Sequence, residues 1–441
     1  MSAPVDRLTR RTVTKAFAAG VLAPSLALAA GRRSVARAQE PATVTFWQFS
    51  QLQFNIDAYN AAIAEFEKQN PDIKVNMELV PWADQHQKLV TGLTTGNLPD
   101  VSMLGNNVVA EFQALGALAP LTDYFKQWSD EIGRDITEDI WPGDKLYYNL
   151  HDDWWGSPVA EETRCIFYRR DLFDKAGLGE TAPDTWDAMR DAAVALTGDG
   201  VFGWGIPGGI NYQTLQTFMS VYLGYGARFL NDEGMCGFDS PEFREALTYY
   251  TNLYLADKVS PPDTPTYDRE PLVQLFMQGK LGMYIDGPDF YASLKEANPE
   301  FLDSVGVAQI AQGPAGRFGF LGGWPLVMWN TSKNKDAAFK WIRFATDPDG
   351  YLYQLAVASG NLPGRKSLVD REPWTVPPLD VFAAQMEFAY PYQYPDPEIP
   401  QMGTLEVDAV QTAVQSVMLG QTSVDDATLA LVDRINAVLS R

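Results

Sequence analysis

Between residues 44 and 104 the chain alternates twice between strand-like and helix-like patterning, and this order constrains its fold more than any other feature. Val44-Thr45-Phe46-Trp47 is a β-branched and aromatic run that reads as a buried strand. Tyr59, Ile63, Phe66 and Glu67 follow near helical spacing, and Asn70-Pro71-Asp72 ends that helix. Ile73 to Val80 alternates as a half-buried strand does. Asp84 to Thr95 reads as a second helix, then Gly96 and Pro99 break the chain before a third strand at Val101 to Leu104. A βαβαβ opening implies a parallel sheet with crossover helices, and ligands of such sheets bind at the carboxyl ends of the strands.

The preceding segment reads as an export signal. Arg7, Arg10 and Arg11 form a positive n-region, Ala16 to Ala30 an apolar stretch, and Ala36-Arg37-Ala38 a small-x-small cleavage site. An apolar stretch of about 15 residues, interrupted by Gly20 and Pro24, is too short to span a bilayer of about 30 Å. The run Thr9-Arg10-Arg11-Thr12-Val13-Thr14-Lys15 resembles the twin-arginine motif, with Val13 and Thr14 where that motif prefers Phe and Leu. The expected location is therefore the periplasm. No Cys precedes Cys165, so a lipoprotein is not expected.

The remaining residues exceed what one hydrophobic core usually holds, and two lobes are expected. Beyond residue 38 the chain carries 27 Lys and Arg against 55 Asp and Glu, a net charge of −28. Such a body repels phosphate backbones and anionic headgroups, which argues against nucleic-acid or membrane-surface partners. No later apolar run reaches the ~18 residues of a membrane span, so the mature chain is not expected to be membrane-embedded. Cys165 and Cys236 are the only cysteines; a bridge between them and two idle thiols both stand as readings.

Further along, strands are expected at Arg164 to Tyr168, Phe202 to Pro207, Leu281 to Ile285, Val305 to Gln309 and Leu326 to Asn330. Helices are expected at Trp186 to Leu196, Asn211 to Tyr222, Pro241 to Leu255, Glu270 to Gln278, Lys335 to Thr346, Leu405 to Leu419 and Val424 to Leu439. Ser423 is the expected cap of the last one, with Asp425 and Asp426 in its first turn. The proline-rich stretch from Pro373 to Pro400 reads as a long surface connection.

Several fragments then stand in a colinear order. They are Phe46-Trp47, Leu98-Pro99-Asp100-Val101, Ser157-Pro158-Val159-Ala160-Glu161-Glu162 and Phe167 to Leu178. Pro183-Asp184-Thr185-Trp186, Gly282 to Pro288, Gly322-Gly323-Trp324, Leu362 to Ser367 and Ile399-Pro400-Gln401-Met402 complete the series. In this order the chain resembles the family 1 extracellular solute-binding proteins, the sugar receptors of ABC importers. The resemblance implies an α/β, two-lobed periplasmic binding protein fold of the type II kind, with discontinuous lobes and a three-strand hinge. It places the crossings near Val159 to Glu162, Val305 to Gln312 and Ser359 to Pro363. The implied division is a signal peptide at 1–38, one lobe from 39–160 plus 310–360, and the other from 161–309 plus 361–441. It also implies a sugar ligand, ABC permease subunits as partners, no cofactor, and a monomer.

A sugar site needs aromatic faces and hydrogen-bonding groups for buried hydroxyls. Trp47, Gln48 and Gln51 lie just past the first strand, at its expected cleft end, against the alternatives of core packing for Trp47 and a solvated amide for Gln48. Asn106 and Asn107 stand where the maltodextrin-binding relatives carry an acidic ligand, with helix capping as the other reading. Trp154 and Trp155 are candidate stacking platforms. Glu162, four residues past Pro158, matches a sugar-contacting Glu of those relatives or serves as a hinge salt bridge. Asn211 and Tyr212 begin a helix on the second lobe, where Asn211 is equally read as a cap. Asp286 and Asp289 flank the Gly287-Pro288 turn. Gly323 would let backbone approach a sugar, and Trp324 supplies an aromatic wall. Arg365 lies near the third crossing, and Glu406 replaces an aromatic of the maltodextrin pattern.

Two other readings of the cleft remain open. Asp152, Asp153, Glu161 and Glu162 supply carboxylates for a glycoside hydrolase pair, and a metal or polyamine receptor would share the fold. His86 and His151 sit in no metal-ligand spacing. No phosphate-loop sequence occurs. The expectation is a non-catalytic sugar receptor.

Overall fold

The computed structural model describes residues 41–440 apart from 51, 392, 395–398 and 400–408. The export segment, the site candidates Gln51 and Glu406, and most of the Ile399 to Met402 fragment lie outside the described residues.

The expected opening is present. β1 (Ala42–Gln48) pairs in parallel with both β2 (Ile73–Leu79) and β3 (Val101–Met103), Ala42 standing opposite Ile73 and Phe46 opposite Val101. The crossover helices are Gln53–Gln69 and Gln85–Thr95. The first buries Tyr59, Ala62 and Phe66, one stripe of a 3.6-residue period. The second stops at Gly96, whose φ of 72° is the left-handed conformation that suits a helix C-terminus.

β4 (Asn149–Leu150) and β5 (Asp153–Trp154) form a small hairpin turned by His151 and Asp152, both at positive φ. β6 (Ser157–Thr163) and β7 (Cys165–Arg169) are separated by Arg164 alone, yet they belong to different sheets. With β7, the strands β8 (Phe202–Gly205), β9 (Leu281–Asp286) and β10 (Val305–Ala308) make a four-stranded sheet ordered β10-β7-β9-β8. Along β7 the two-residue period is clean. Cys165 and Phe167 join the core shared with the larger sheet, while Ile166 and Tyr168 join a second core beneath the smaller one.

β11 (Gly319–Met328) returns to the larger sheet and lies antiparallel between β6 and β3. β12 (Leu362–Pro363) takes the edge beside β6, where a proline lacking an N–H is tolerated, and β13 (Ala389–Tyr390) runs along the start of β11. The larger sheet is ordered β12-β6-β11-β3-β1-β2.

The first connection between sheets thus falls at Arg164, and the second between Ala308 and Gly319, close to the expected crossings. The third falls elsewhere. β12 stays with the larger sheet, and the chain continues through the helix Leu379–Gln385 and β13 before it reaches the helices Ala409–Met418 and Val424–Leu439. Those two helices bury Val414, Val417, Leu431 and Ile435 in the core of the smaller sheet.

The helices Trp186–Leu196, Pro241–Leu255, Lys335–Thr346 and Val424–Leu439 have the bounds expected from their caps and periods. Ser423 caps the last, its Oγ accepting from Asp426 N at 3.1 Å. Two further expectations fail. The strand expected at Leu326 to Asn330 begins seven residues earlier, because the Gly322-Gly323 pair that lowers strand propensity is held between two neighbours; its register shifts at Trp324/Pro325, where Pro325 has no N–H to donate. The proline-rich stretch is not merely a surface connection, since Trp374, Phe382 and Met386 are buried within it. Cys165 and Cys236 are both free and buried, in separate cores. No helix of the described residues is long and apolar enough to cross a membrane.

Candidate ligand-binding cleft

The carboxyl end of β1 opens onto a cleft with a cavity volume of about 410 Å³. Gln48 is the last residue of that strand, fully buried, and lines the cleft. Its main-chain carbonyl accepts from Val80 N at 2.9 Å, but neither polar atom of its side-chain amide has a hydrogen-bond partner. An amide left so in a folded protein costs about 1–3 kcal/mol unless something arrives to pair with it.

Aromatic rings form one wall. Trp82, at the carboxyl end of β2, is half exposed and meets Trp324 edge-on at 6.3 Å and Phe49 at 6.5 Å. Trp324 faces the cleft because β11 pairs it with Ala160 of β6, and Gly322 with Glu162, on one side of the sheet. The opposite side of the same two strands carries Glu161 and Gly323.

Charged groups supply the other wall. Glu162 accepts from Arg164 Nη1 at 2.9 Å, and Arg164 Nη2 donates to Gln216 Oε1 at 2.9 Å. The two readings of Glu162 therefore coexist, for it both lines the cleft and forms an ion pair at the crossing. Burial disfavours the Arg164 charge, but Glu162 and Asp286 outweigh it and hold the guanidinium protonated. Asp289, from the helix Pro288–Ala297, enters from the smaller-sheet side. Arg269 joins it to Asp286, donating Nη2 to Asp289 Oδ2 at 2.8 Å and Nε to Asp286 Oδ2 at 2.9 Å. Asp286 itself is fully buried behind the turn; burial raises its pKa, and Arg269 offsets part of the rise.

The structure thus brings Gln48, Glu162, Asp289 and Trp324 together and places the other candidates elsewhere. Trp47 alternates away from Gln48 into the core, with Lys88 Nζ 4.3 Å from its ring centre. Asn106 is buried and donates to Leu321 O at 3.3 Å. Asn107 lies beside Gly105, on the Trp82 side: a Cβ added at Gly105 would stand 2.5 Å from Asn107 Oδ1 and 3.5 Å from the Trp82 ring. Trp154 packs against Phe125 at 5.8 Å, and Trp155 donates Nε1 to Leu150 O at 3.0 Å; neither lines the cleft. Asn211 is a helix cap, its Oδ1 accepting from Thr214 N at 3.1 Å. Tyr212 meets Phe320 edge-on at 5.9 Å, and Phe320 in turn lies 5.3 Å from the Arg164 guanidinium.

Gly323 and Arg365 are corrections of a different kind. Gly323 admits the Glu161 side chain rather than a ligand. Arg365 is fully buried and donates at 3.1 Å to each of Thr346 O, Ile136 O and Ser157 Oγ. Its planar fork ties three segments together inside the larger-sheet lobe.

Sequence reasoning missed Phe49, Leu52, Phe54, Trp82, Leu355 and Asn361. Trp82 had a signal, since it follows β2 as Gln48 ends β1. Asn361 lies within the crossing expected at Ser359 to Pro363, whereas Leu355 had no signal, because its helix reaches the cleft from far along the chain. Of the four carboxylates read as hydrolase candidates, Glu162 alone lines the cleft. Asp153 accepts from Thr122 Oγ1 at 2.6 Å, Asp152 sits in the β4–β5 turn, and Glu161 faces the interior. Among the described residues, no group of three or more His, Cys, Asp or Glu is set to hold a metal ion.

Two α/β sheets joined by crossing strands, with a cleft lined from both, define a two-lobed ligand receptor. The family's sequence profile, that of the bacterial extracellular solute-binding proteins, matches residues 55–351, and the chain belongs to that family. A Brucella abortus (strain 2308) protein named for binding is 31% identical over 389 residues, covering 85% of this chain and 88% of its own. The sugar-binding protein MalE of Xanthomonas citri has a similar structure, with a TM-score of 0.78 at 27% identity over 90% of this chain and 98% of its own. A Thermotoga lettingae ABC transporter solute-binding protein, solved with α-D-tagatose, gives 0.75 at 27% identity over 90% and 100%.

Proposed function

We propose that this protein is the carbohydrate receptor of an ABC importer, capturing a short sugar in the cleft and presenting it to a membrane permease. The observation that carries the reading is the Gln48 amide, buried at the cleft with both polar atoms unpaired beside the Trp82–Trp324 wall. A sugar ring offers a C–H face to such indoles and hydroxyls to such an amide. The relative solved with α-D-tagatose and the one named as a sugar-binding protein support the same ligand class. A cavity of about 410 Å³ lies low in the usual ~300–1,000 Å³ range of small-molecule sites, which favours a mono- or disaccharide over a long glucan.

The receptor is non-catalytic in this reading. Glu162 and Asp289 are each engaged by an arginine, an arrangement suited to orienting hydroxyls rather than to donating a proton. Residues 1–38 direct export, by the twin-arginine route, to the periplasm, where a monomer acts; binding shifts its population toward a closed form that the permease recognises. Calorimetric titration of the mature chain with a panel of sugars, polyols, polyamines and divalent metals tests this. Saturable binding of a sugar or polyol is expected; binding of a metal or polyamine alone overturns it, as does turnover of a glycoside.

A further inference from the structure

The lip of the cleft is apolar where a simple sugar would ask for hydroxyl partners. Leu52 and Phe54 are 56% and 48% exposed, and both line the cavity with the half-exposed Trp82. Leu52 occupies the N-cap of the helix Gln53–Gln69 and makes no side-chain capping hydrogen bond. Ser, Thr, Asp and Asn are favoured there, so Leu52 serves neither the helix nor a core. Among the described residues beside them, Ser50 Oγ is already engaged, accepting from Asn55 Nδ2 at 2.9 Å and from Leu52 N at 3.3 Å. A hydroxyl buried against Leu52 and Phe54 would lose its water without gaining a partner, whereas an apolar group would lose nothing.

We infer that the ligand is a sugar bearing an apolar substituent, such as the aglycone of an alkyl or aryl glycoside. Its hydroxyl-bearing ring lies against Gln48, Glu162 and the Trp82–Trp324 wall, and the substituent lies against Leu52 and Phe54 beyond the edge of Trp82. This rests on the carbohydrate reading above and adds to it the part of the ligand that a free sugar lacks. Both sets of residues line the same cavity.

The test is calorimetry on the mature protein with glucose, galactose, mannose and N-acetylglucosamine, each as the free sugar, the methyl glycoside and the 4-nitrophenyl glycoside. For a sugar that binds, the nitrophenyl glycoside is expected to bind at least tenfold more tightly than the methyl glycoside. The double variant Leu52→Ser, Phe54→Ser is expected to shrink that ratio below threefold, whatever its effect on the free sugar. Both positions are exposed, so the fold tolerates the change. Equal affinity for the two glycosides, or a preference that survives in the variant, overturns the inference and leaves the carbohydrate reading standing. Binding of no sugar in any form overturns both.

Discussion

Gly323 stands across from Glu161 on the β6–β11 ladder, so close that a Cβ there would fall 1.7 Å from Glu161 Oε2. The glycine is thus a socket for a buried carboxyl group. Gly323→Ala is expected to destabilise the protein by about 1–3 kcal/mol through overpacking. Adding Glu161→Ala should recover part of that loss in urea denaturation, and an additive double mutant would refute the contact.

The same Glu161 makes stability depend on pH. It is buried beside Asp144, close enough for the two carboxyl groups to act on each other's protonation. Burial pushes Asp144 up to about 8, with Glu161, Tyr148 and Arg365 pulling it back. Burial, then the charges of Asp144 and Glu162, push Glu161 well above the usual carboxylate range. Between an unfolded value of about 4 and the raised folded values, the folded chain holds more protons than the unfolded one, so stability falls as pH rises through this window. Unfolding free energy should be larger at pH 5 than at pH 8, and Glu161→Gln should flatten the difference. Equal slopes for variant and parent would remove the pair as its cause.

Gln48 separates binding from stability. Gln48→Leu removes a buried amide with no partner and should leave the unliganded protein equally stable or about 1 kcal/mol more so. Ligand affinity should fall roughly tenfold or more, about 1.4 kcal/mol. Thermal melting with and without the ligand reads both effects at once; retained affinity would take Gln48 out of the site.

Two tryptophans should behave oppositely. Trp324→Ala is expected to weaken ligand binding roughly tenfold or more with the fold intact. Trp154→Ala removes a ring packed on Phe125 and should cost about 3–5 kcal/mol of stability, with affinity unchanged in the folded fraction.

What the sequence disclosed depended on how local the cause was. The helix Val424–Leu439 was legible because its Ser423 cap, acidic first turn and apolar period are contiguous. Gln48 followed from a rule about strand ends, and Glu162 and Trp324 from the colinear fragments that resemble the family. Arg365 stood as a site candidate near the third crossing because its three acceptors come from Ile136, Ser157 and Thr346, segments that sequence adjacency does not join. Neighbouring acids Glu161 and Glu162 look alike in sequence; only the register of β6 against β11 sends one inward and the other to the cleft.

Each core holds one buried thiol. Burial pushes Cys236 up to about 12 and Cys165 well above its ordinary value, so neither ionises readily while the protein is folded. The two sulfurs are therefore clocks for unfolding: the rate at which Cys236 takes up a thiol reagent reports opening of the smaller-sheet core, and that of Cys165 reports separation along the strand where the chain passes between sheets. Comparing the two rates with and without ligand would show which half of the molecule the ligand steadies.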